Sequence, residues 1–237
     1  MNEDPQNTIS LLVLWDIDGT LLTTGGAGGA ALLETGRELF GENFTLEGVD
    51  RFGRLDSFIW RDIVRVNRIQ KPDAWEALFR EMYLRLYRRR LVSDPGKCKV
   101  FPGVRELIER LDRKGHAGQG ILSGNYPEIG AMKLQVAGFD LARFIVCAWG
   151  SEALYRPDLV PIALSRLFEL NRTVLDPGQV VIIGDTPHDV HCARVNGCRS
   201  LGVATGTFTR ERLQEAGADL VVDDLSGTEE ILGWLLC

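Results

Sequence analysis

Two aspartates separated by one residue, Asp16 and Asp18, follow an unbroken apolar run at residues 11–15. The run has the length and composition of a buried strand. In open parallel sheets, ligands bind outside the carboxyl ends of the strands, so both carboxylates would lie where chemistry is done. An Asx-type turn closed by Gly19 is the simpler structural alternative. A calcium-binding loop is excluded, because its sixth and twelfth positions would be Leu and Ala here, where that loop needs Gly and Glu.

Polar residues also follow two later apolar segments that are typical of strands, at residues 117–122 and 180–183. These polar residues are Ser123, Gly124 and Asn125 after the first segment, and Asp185 and Asp189 after the second. If these strands neighbour the first strand in a parallel sheet, four carboxylates converge on one crevice. At ~4 Å and an effective dielectric constant of about 20, each pair repels by ~4 kcal/mol. The crevice therefore requires a cation.

The expected cation is Mg²⁺. Oxygen ligands without converging histidines or thiolates favour it, because Mg²⁺ binds through a few carboxylates, waters and substrate phosphate. A hydroxyl at Ser123 and a fixed positive charge beside it would hold the phosphate oxygens. The candidate for that charge is Arg156, directly before Pro157 at a predicted helix start, and an ordinary surface arginine is the alternative.

The elements that would position these residues alternate between strand and helix after residue 97. The predicted strands are at 117–122, 144–148, 180–183, 200–203 and 220–222, with helical patterns between them. This alternation predicts an α/β fold with a Rossmann-like parallel sheet core that is covered on both faces by helices. We assign residues 1–23 and 98–237 to this core.

The segment between the first strand and the rest of the core has a different character. Residues 51–99 contain thirteen Lys and Arg against six Asp and Glu, whereas the whole chain has a net charge of −6. Helical patterns occur at 57–69 and 72–90. The apolar residues of the second pattern recur at helical spacing: Trp75, Leu78, Phe79, Met82 and Leu86. We predict a basic helical cap domain at residues 24–97, inserted after the first strand, with a glycine hinge at positions 25, 26, 28 and 29.

Composition limits the cellular context. The chain has 237 residues, of which 45% are hydrophobic and 25% charged, as in a globular protein with one substantial core and a smaller domain. The N-terminal sequence has no signal-peptide pattern and no apolar run approaches a membrane span, so we expect a cytoplasmic protein without membrane contact. The five cysteines form no CxxC pair and are expected to be free thiols. The sequence leaves the oligomeric state open.

Taken in order, these motifs resemble those of the haloacid dehalogenase-like (HAD) hydrolase superfamily, in particular its phosphoglycolate-phosphatase-like members with a helical cap. The matching residues are DIDGTLL at 16–22, the strand-terminal Ser123, the Arg156-Pro157 pair and IGDTPHD at 183–189. The resemblance covers nearly the whole chain after Ser10. It implies a Mg²⁺-dependent phosphatase that acts on a small phosphorylated metabolite, such as phosphoglycolate or a sugar phosphate. The superfamily usually has lysine where this chain has Arg156.

The resemblance also implies a role for each matching residue. Asp16 would be the nucleophile that attacks phosphorus, and Asp18 would protonate the leaving group and then activate water. The metal-binding set would be Asp16, Asp185, the backbone carbonyl of Asp18 and, in an assisting position, Asp189. Ser123 and Arg156 would bind the phosphoryl group. Further substrate contacts are expected from Gly19, Thr20, Gly124, Asn125 and, in the cap, Arg54.

Three alternatives remain open. A phosphomutase of the same superfamily shares every motif. Residues 26–31 match the dinucleotide-binding pattern GxGxxA, although they begin about ten residues beyond the strand. A nucleic-acid-binding protein would use the cap arginines, against an acidic net charge. We expect a phosphatase, because the dehalogenases and phosphonate-cleaving relatives lack an aspartate at the position of Asp18. No sugar-phosphate clamp is recognisable in the cap, which favours a phosphatase over a mutase. Given the acidic net charge, we expect no nucleic-acid binding.

Overall fold

The computed structural model describes residues 9–237. The prediction that the N-terminus has no signal peptide concerns mainly residues 1–8, which lie outside the described part. From residue 9 onward, none of the helices combines the length and the apolar character needed to span a membrane. The five cysteines are free thiols, as predicted.

A parallel sheet forms the centre of the fold. The strands, in chain order, are β1 (Leu11–Trp15), β2 (Leu22–Thr23), β3 (Lys99–Val100), β4 (Ala117–Ser123), β5 (Val146–Trp149), β6 (Val180–Gly184), β7 (Arg199–Val203) and β8 (Leu220–Val222). Six of them pair in parallel in the order β5-β4-β1-β6-β7-β8, and β2 pairs with β3 in antiparallel orientation. Since β1 lies between β4 and β6, the three strands predicted to carry the site are neighbours.

The helices, in chain order, are α1 (Ala27–Phe40), α2 (Asp56–Asn67), α3 (Pro72–Ser93), α4 (Val104–Asp112), α5 (Pro127–Val136), α6 (Leu159–Asn171), α7 (Pro187–Val195), α8 (Arg210–Glu215) and α9 (Thr228–Leu236). The first three, hereafter the cap helices, all lie between β2 and β3. The others alternate with the strands of the parallel sheet. This arrangement is the predicted Rossmann-like α/β fold with helices inserted after the first strand.

Strand β1 is buried along its whole length because its side chains enter hydrophobic cores on both faces of the sheet. Val13 and Trp15 pack in the core that contains α4 and α9, whereas Leu12 and Leu14 pack in the core that contains α6 and α7. The alternation follows from the two-residue period of a strand. It anchors the end of β1, and therefore Asp16, at the middle of the sheet's carboxyl edge.

The cap helices have a hydrophobic core of their own, which also includes Ile129 of α5. The predicted apolar face of α3 is partly wrong. Leu78 is 43% exposed, whereas Tyr83 and Tyr87 are buried. Tyrosine has an apolar ring and a polar hydroxyl, so it can enter a core while its hydroxyl contacts a polar cavity. The hydrophobic pattern counted only Leu, Met, Phe and Trp and therefore missed these two tyrosines, whereas Phe79 and Leu86 are buried as predicted.

The chain enters and leaves the cap helices through the short antiparallel pair β2–β3. This pair was not predicted, because strands of two residues carry no periodicity. Of the predicted hinge glycines, Gly25 and Gly26 have positive φ angles of 58° and 83°. Gly28 and Gly29 belong instead to the first turn of α1. The glycine link is thus shorter than predicted, and the domain boundaries at residues 23 and 98 stay a prediction.

Candidate active site

The carboxylates predicted to converge lie at the carboxyl edge of the parallel sheet. Asp16 directly follows β1, Asp185 directly follows the neighbouring strand β6, and Asp189 lies in the first turn of α7. One carboxylate oxygen from each of these three buried residues lies within 4.8 Å of the others. Asp18 is separate, since its side chain is 46% exposed and contacts other partners. The site therefore contains a buried acidic triad and one more accessible carboxylate.

Arg156 is the cation among the buried acids. Its Nη2 donates to Oδ1 of Asp16 at 2.7 Å and to Oδ1 of Asp189 at 2.5 Å. Its side chain is only 6% exposed, so the interpretation as a surface arginine is wrong. Burial opposes the charge, but the two aspartates more than compensate and raise the pKa of Arg156 above its ordinary value. Arg156 thus holds the proposed nucleophile and a neighbouring acid together.

Asp189 closes a capping box at the start of α7. Its Oδ2 accepts hydrogen bonds from the backbone N–H of Thr186 at 3.1 Å and from the Thr186 hydroxyl at 2.7 Å. Its Oδ1 is bound to Arg156. Because both oxygens already have partners, Asp189 is suited to orienting its neighbours, which agrees with the assisting position that the resemblance implies.

A second polar network holds Asp18. Its Oδ2 accepts from Nζ of Lys133 at 2.5 Å and from Nδ2 of Asn125 at 2.8 Å. Lys133 also donates to Oδ1 of Asn125 at 2.6 Å. Nδ2 of Asn125 donates in turn to Oγ of Ser123 at 2.7 Å. The network therefore links the polar ends of the neighbouring strands β1 and β4.

Lys133 is the functional candidate that the sequence interpretation missed. Its side chain is 5% exposed, and Nζ lies 5.4 Å from the ring centroid of Tyr87. Burial opposes the charge, but Asp18 outweighs it and raises the pKa of Lys133 above its ordinary value. One signal was available in the sequence. Lys133 stands four residues after the buried Ile129 on α5 and therefore shares its face.

Gly19 and Thr20 both contact Asp185. Gly19 has a φ of 83°, and a Cβ at this position would overlap the Asp185 carboxylate, so glycine is required. The Thr20 hydroxyl donates to Oδ1 of Asp185 at 3.3 Å. Thr20 is fully buried and does not line the cavity described below, so the prediction that it contacts substrate is corrected. Its position is that of a residue that orients a carboxylate.

A cavity of about 490 Å³ lies between the cap helices and the carboxyl edge of the sheet. This volume is within the ordinary range for small-molecule sites, about 300–1,000 Å³. The predicted site residues that line it are Asp16, Asp18, Gly19, Arg54, Ser123, Gly124, Asn125, Arg156 and Asp185. Thr20 and Asp189 do not line it, because both are buried behind other residues of the site.

The start of α2 contacts the loop that follows β4. The backbone N–H of Asp56 donates to the Gly124 carbonyl at 2.8 Å, and Oδ2 of Asp56 accepts from the backbone N–H of Tyr126 at 2.7 Å. Burial raises the pKa of Asp56 to about 6. Nη1 of Arg156 donates to the Gly53 carbonyl at 3.3 Å. Gly53 and the first residue of α2 are therefore bonded directly to Arg156 and to the loop after β4, the two regions predicted to bind phosphate.

The buried acidic triad fits a divalent cation. Burial, followed by the charges of the nearby carboxylates, raises the pKa of Asp185 well above its ordinary value. Burial likewise raises the pKa of Asp16 to about 7, although Arg156 opposes the shift. Both shifts reflect the cost of crowding carboxylates in a buried space. Asp16 and Asp185 present carboxylate oxygens to the cavity, with an oxygen of Asp189 within 4.8 Å of theirs, and carboxylates are the ligands that hard cations such as Mg²⁺ prefer.

Comparisons with known proteins agree with this geometry. A family model described as haloacid dehalogenase-like hydrolase matches residues 13–203. A phosphoglycolate phosphatase of Pseudomonas putida is 28% identical over 224 residues, which cover 92% of this chain and 78% of that protein. The "Probable phosphatase IndB" of Dickeya dadantii is 27% identical over 231 residues, which cover 94% of this chain and 92% of that protein.

Solved structures share the fold. The crystal structure of a hydrolase from Pseudomonas syringae matches with a TM-score of 0.73 and 19% sequence identity, covering 95% of this chain and 98% of that one. The match spans both the parallel sheet and the inserted helices.

Proposed function

The chain belongs to the haloacid dehalogenase-like hydrolases and acts on phosphate esters, and from this premise we propose that it is a Mg²⁺-dependent phosphatase of small phosphate monoesters. The observation that carries the proposal is the meeting of Asp16, Asp185 and Arg156 in one cavity, with Asp18 at the same edge of the sheet. A carboxylate nucleophile, a cation and an acid-base group are what phosphoryl transfer through a covalent intermediate requires.

Asp16 is the proposed nucleophile. Its Oδ1 is bound to Arg156, and its Oδ2 accepts no hydrogen bond from any residue in the range 9–237. Attack by a carboxylate oxygen on phosphorus breaks the bond to the leaving alcohol and forms an aspartyl phosphate, which water then hydrolyses. The two steps replace one difficult displacement.

Mg²⁺ would be held by Asp16, Asp185 and the backbone carbonyl of Asp18, with Asp189 orienting Arg156 beside them. When bound, Mg²⁺ supplies positive charge that offsets the repulsion between the carboxylates and the anionic substrate. Thr20, which donates to Asp185, keeps that carboxylate in place.

The phosphoryl group would bind to Ser123 and Arg156. The Ser123 hydroxyl accepts from Asn125, which leaves its own hydrogen available to a phosphoryl oxygen. Nε of Arg156 is buried and has no hydrogen-bond partner in the described part of the chain. A buried N–H without a partner is costly, and a phosphoryl oxygen would supply that partner.

Asp18 is proposed to protonate the leaving oxygen and then to accept a proton from the attacking water. Its contacts with Lys133 and Asn125 hold its carboxylate beside the cavity. We assign Lys133 the role of a positioning residue, because its ammonium group, at the cavity wall, is bonded to both Asp18 and Asn125.

We expect phosphate release from a panel of small phosphate monoesters, including p-nitrophenyl phosphate, to require Mg²⁺. Excess chelator should abolish turnover and added Mg²⁺ should restore it, because the carboxylates otherwise repel the substrate. Mg²⁺ at about 100 times its dissociation constant should also stabilise the fold by ~2.7 kcal/mol, which raises the Tm by about 5 °C or more.

The Tm shift with Mg²⁺ should be lost in Asp185→Asn, which removes one proposed ligand. Asp223→Asn, an exposed substitution of the same kind, is the matched control and should keep the shift. Full hydrolysis of p-nitrophenyl phosphate in excess chelator would contradict the metal requirement.

Hydrolysis is separated from the phosphomutase alternative by supplying glucose 1-phosphate with a catalytic amount of bisphosphate. Free phosphate and isomerised sugar phosphate are followed together. We expect free phosphate to dominate, and isomer that appears much faster than phosphate would favour the mutase.

Lys133→Met should lower kcat/KM for alkyl phosphates by about 10- to 100-fold, because kcat/KM reports the first step, in which the leaving group is protonated; this is part of the ~10²–10⁴-fold that a positioned acid and base contribute. Alkyl alcohols need a proton to leave, whereas p-nitrophenolate leaves readily without one. The loss should therefore be much smaller with p-nitrophenyl phosphate. Steady-state kinetics on both esters test this, with the exposed Lys114→Met as the charge-matched control. Equal losses on both esters would remove the positioning role.

A further inference from the structure

Two arginines from the cap segment, the residues between β2 and β3, line the cavity, and their surroundings differ. Arg54 lies 3.5 Å from a carboxylate oxygen of Asp50 and packs over the ring of Phe58 at 5.4 Å. Arg51 has no carboxylate oxygen within 4.0 Å anywhere in residues 9–237. Its Nε is buried and makes no hydrogen bond within the same range. Arg51 therefore brings a positive charge to the cavity without a counter-charge from the described chain.

The first turn of α1 determines where Arg51 lies. A Cβ at Gly29 would overlap Nη1 of Arg51, so the absence of a side chain at Gly29 leaves room for the guanidinium. Gly28 and Gly29 both line the cavity. Their backbone N–H groups are at the start of a 14-residue helix, where amides have no carbonyl partner within the helix and the helix dipole is positive. The helix start therefore adds to the positive potential around Arg51.

This positive region belongs to the same cavity as Asp16, but it is provided by the cap segment rather than by the sheet edge. The cavity wall contributed by α3 consists of Tyr83 and Tyr87, and the Tyr87 hydroxyl is bonded to that of Thr24 at 3.0 Å. A phosphate ester with its phosphoryl group at Asp16 would direct its leaving group into the remaining space. The leaving group is thus the part of the substrate that would meet Arg51.

We propose that Arg51 determines specificity by binding a second anionic group, a carboxylate or a second phosphate, on the leaving-group part of the substrate. This inference rests on the proposed phosphatase function. The planar guanidinium matches both kinds of anion through paired hydrogen bonds. An uncharged leaving group would leave the half-buried Arg51 charge without a partner, so monoesters with an uncharged leaving group are poorer substrates.

The test compares 2-phosphoglycolate with ethyl phosphate, which has the same chain length but no charge on its leaving group. Ethylene glycol bisphosphate is added to distinguish a second phosphate from a carboxylate. Each ester is assayed with the wild type, Arg51→Met, Arg51→Lys and Arg65→Met. Arg65 pairs with Asp62 at 2.9 Å on the exposed side of α2, so its substitution matches the change in net charge outside the cavity.

The wild type should prefer at least one of the two esters with a second anionic group, 2-phosphoglycolate or ethylene glycol bisphosphate, to ethyl phosphate. Arg51→Met should lower kcat/KM for that ester by about 10- to 100-fold, the effect of one hydrogen-bonded charge. It should not lower kcat/KM for ethyl phosphate by more than threefold, because this ester makes no bond to Arg51, and the retained activity also reports that the variant is folded. Arg51→Lys should recover part of the loss, because it keeps the charge but not the planar fork.

Three results would overturn the assignment of Arg51: no preference of the wild type for either anionic ester, an unchanged preference in Arg51→Met, or the same loss in Arg65→Met. A wild type that releases phosphate from none of these esters or from p-nitrophenyl phosphate, with Mg²⁺ present, would overturn the proposed phosphatase function instead. The two failures are therefore distinguishable. Thermal unfolding of each variant keeps a folding defect from being mistaken for a change of specificity.

Discussion

Asp16→Asn should lower kcat by at least ~10⁴-fold, because it removes the proposed nucleophile. Asparagine has nearly the same volume as aspartate, and its Oδ1 can still accept the hydrogen bond from Arg156. Its amide cannot form the acyl phosphate with phosphorus at a useful rate. The loss should therefore be chemical rather than structural, and single-turnover phosphate release measures it.

The stability of Asp16→Asn provides the control. Burial raises the pKa of Asp16 to about 7 in the folded protein, above its ordinary value of 3.8. When the pKa of a carboxyl group is higher in the folded than in the unfolded state, the free energy of unfolding of the protein falls as the pH rises between the two pKa values. Without Mg²⁺ and above pH 7, Asp16→Asn should therefore unfold at the same or a higher temperature than the wild type. Turnover within tenfold of the wild type would remove Asp16 from the nucleophile role.

Arg156→Ala should reduce both activity and stability. A lost charge-assisted contact to the phosphoryl group is worth ~2 to 5 kcal/mol, or about 30- to 5,000-fold in rate. The substitution also leaves Asp16 and Asp189 buried without their cation, which costs a further ~3–5 kcal/mol of folding free energy. Steady-state kinetics with Mg²⁺ and chemical denaturation measure the two effects separately.

Arg156→Lys should restore part of the activity that Arg156→Ala loses. A single nitrogen, Nη2, makes both contacts to Asp16 and Asp189, so one ammonium group can replace these two contacts, but it cannot also replace the Nε–H and the Nη1 contact to Gly53. Arg113→Ala, on the exposed surface, is the matched control and should change neither quantity measurably. A rate loss below tenfold in Arg156→Ala would make the guanidinium dispensable for phosphoryl binding.

The ends of the buried strands were the most predictable part of the molecule. In a parallel sheet, a buried strand that ends before a carboxylate delivers it to the carboxyl edge, and Asp16 and Asp185 lie there after the neighbouring strands β1 and β6. The buried position of Arg156 followed less directly. A proline-started helix predicted its backbone, but only the pairing with two acids distinguishes it from a surface arginine.

Side-chain direction was the part that local pattern could not supply. Lys133 was missed because a lysine in a helix is ordinarily solvated, and its partner Asp18 is distant in the sequence. Thr20 was assigned to substrate because it lies in the DIDGTLL motif, whereas its hydroxyl is bound to Asp185, which directly follows β6. Both errors concern contacts between residues far apart in the sequence, and these depend on how the elements are arranged rather than on the residues beside each position.

The antiparallel pair β2–β3 bears on how this architecture can diverge between species. The chain leaves the pair after Thr23 and returns to it at Lys99, and these two residues are direct partners. A segment whose ends meet in this way can be lengthened, shortened or exchanged without altering the order of the six strands behind it. The entropic cost of such changes grows only slowly with segment length. Insertions and deletions accepted between these two points would therefore remodel the surroundings of Arg51 while the pairing of β1 with β6 that positions Asp16 beside Asp185 is inherited unchanged.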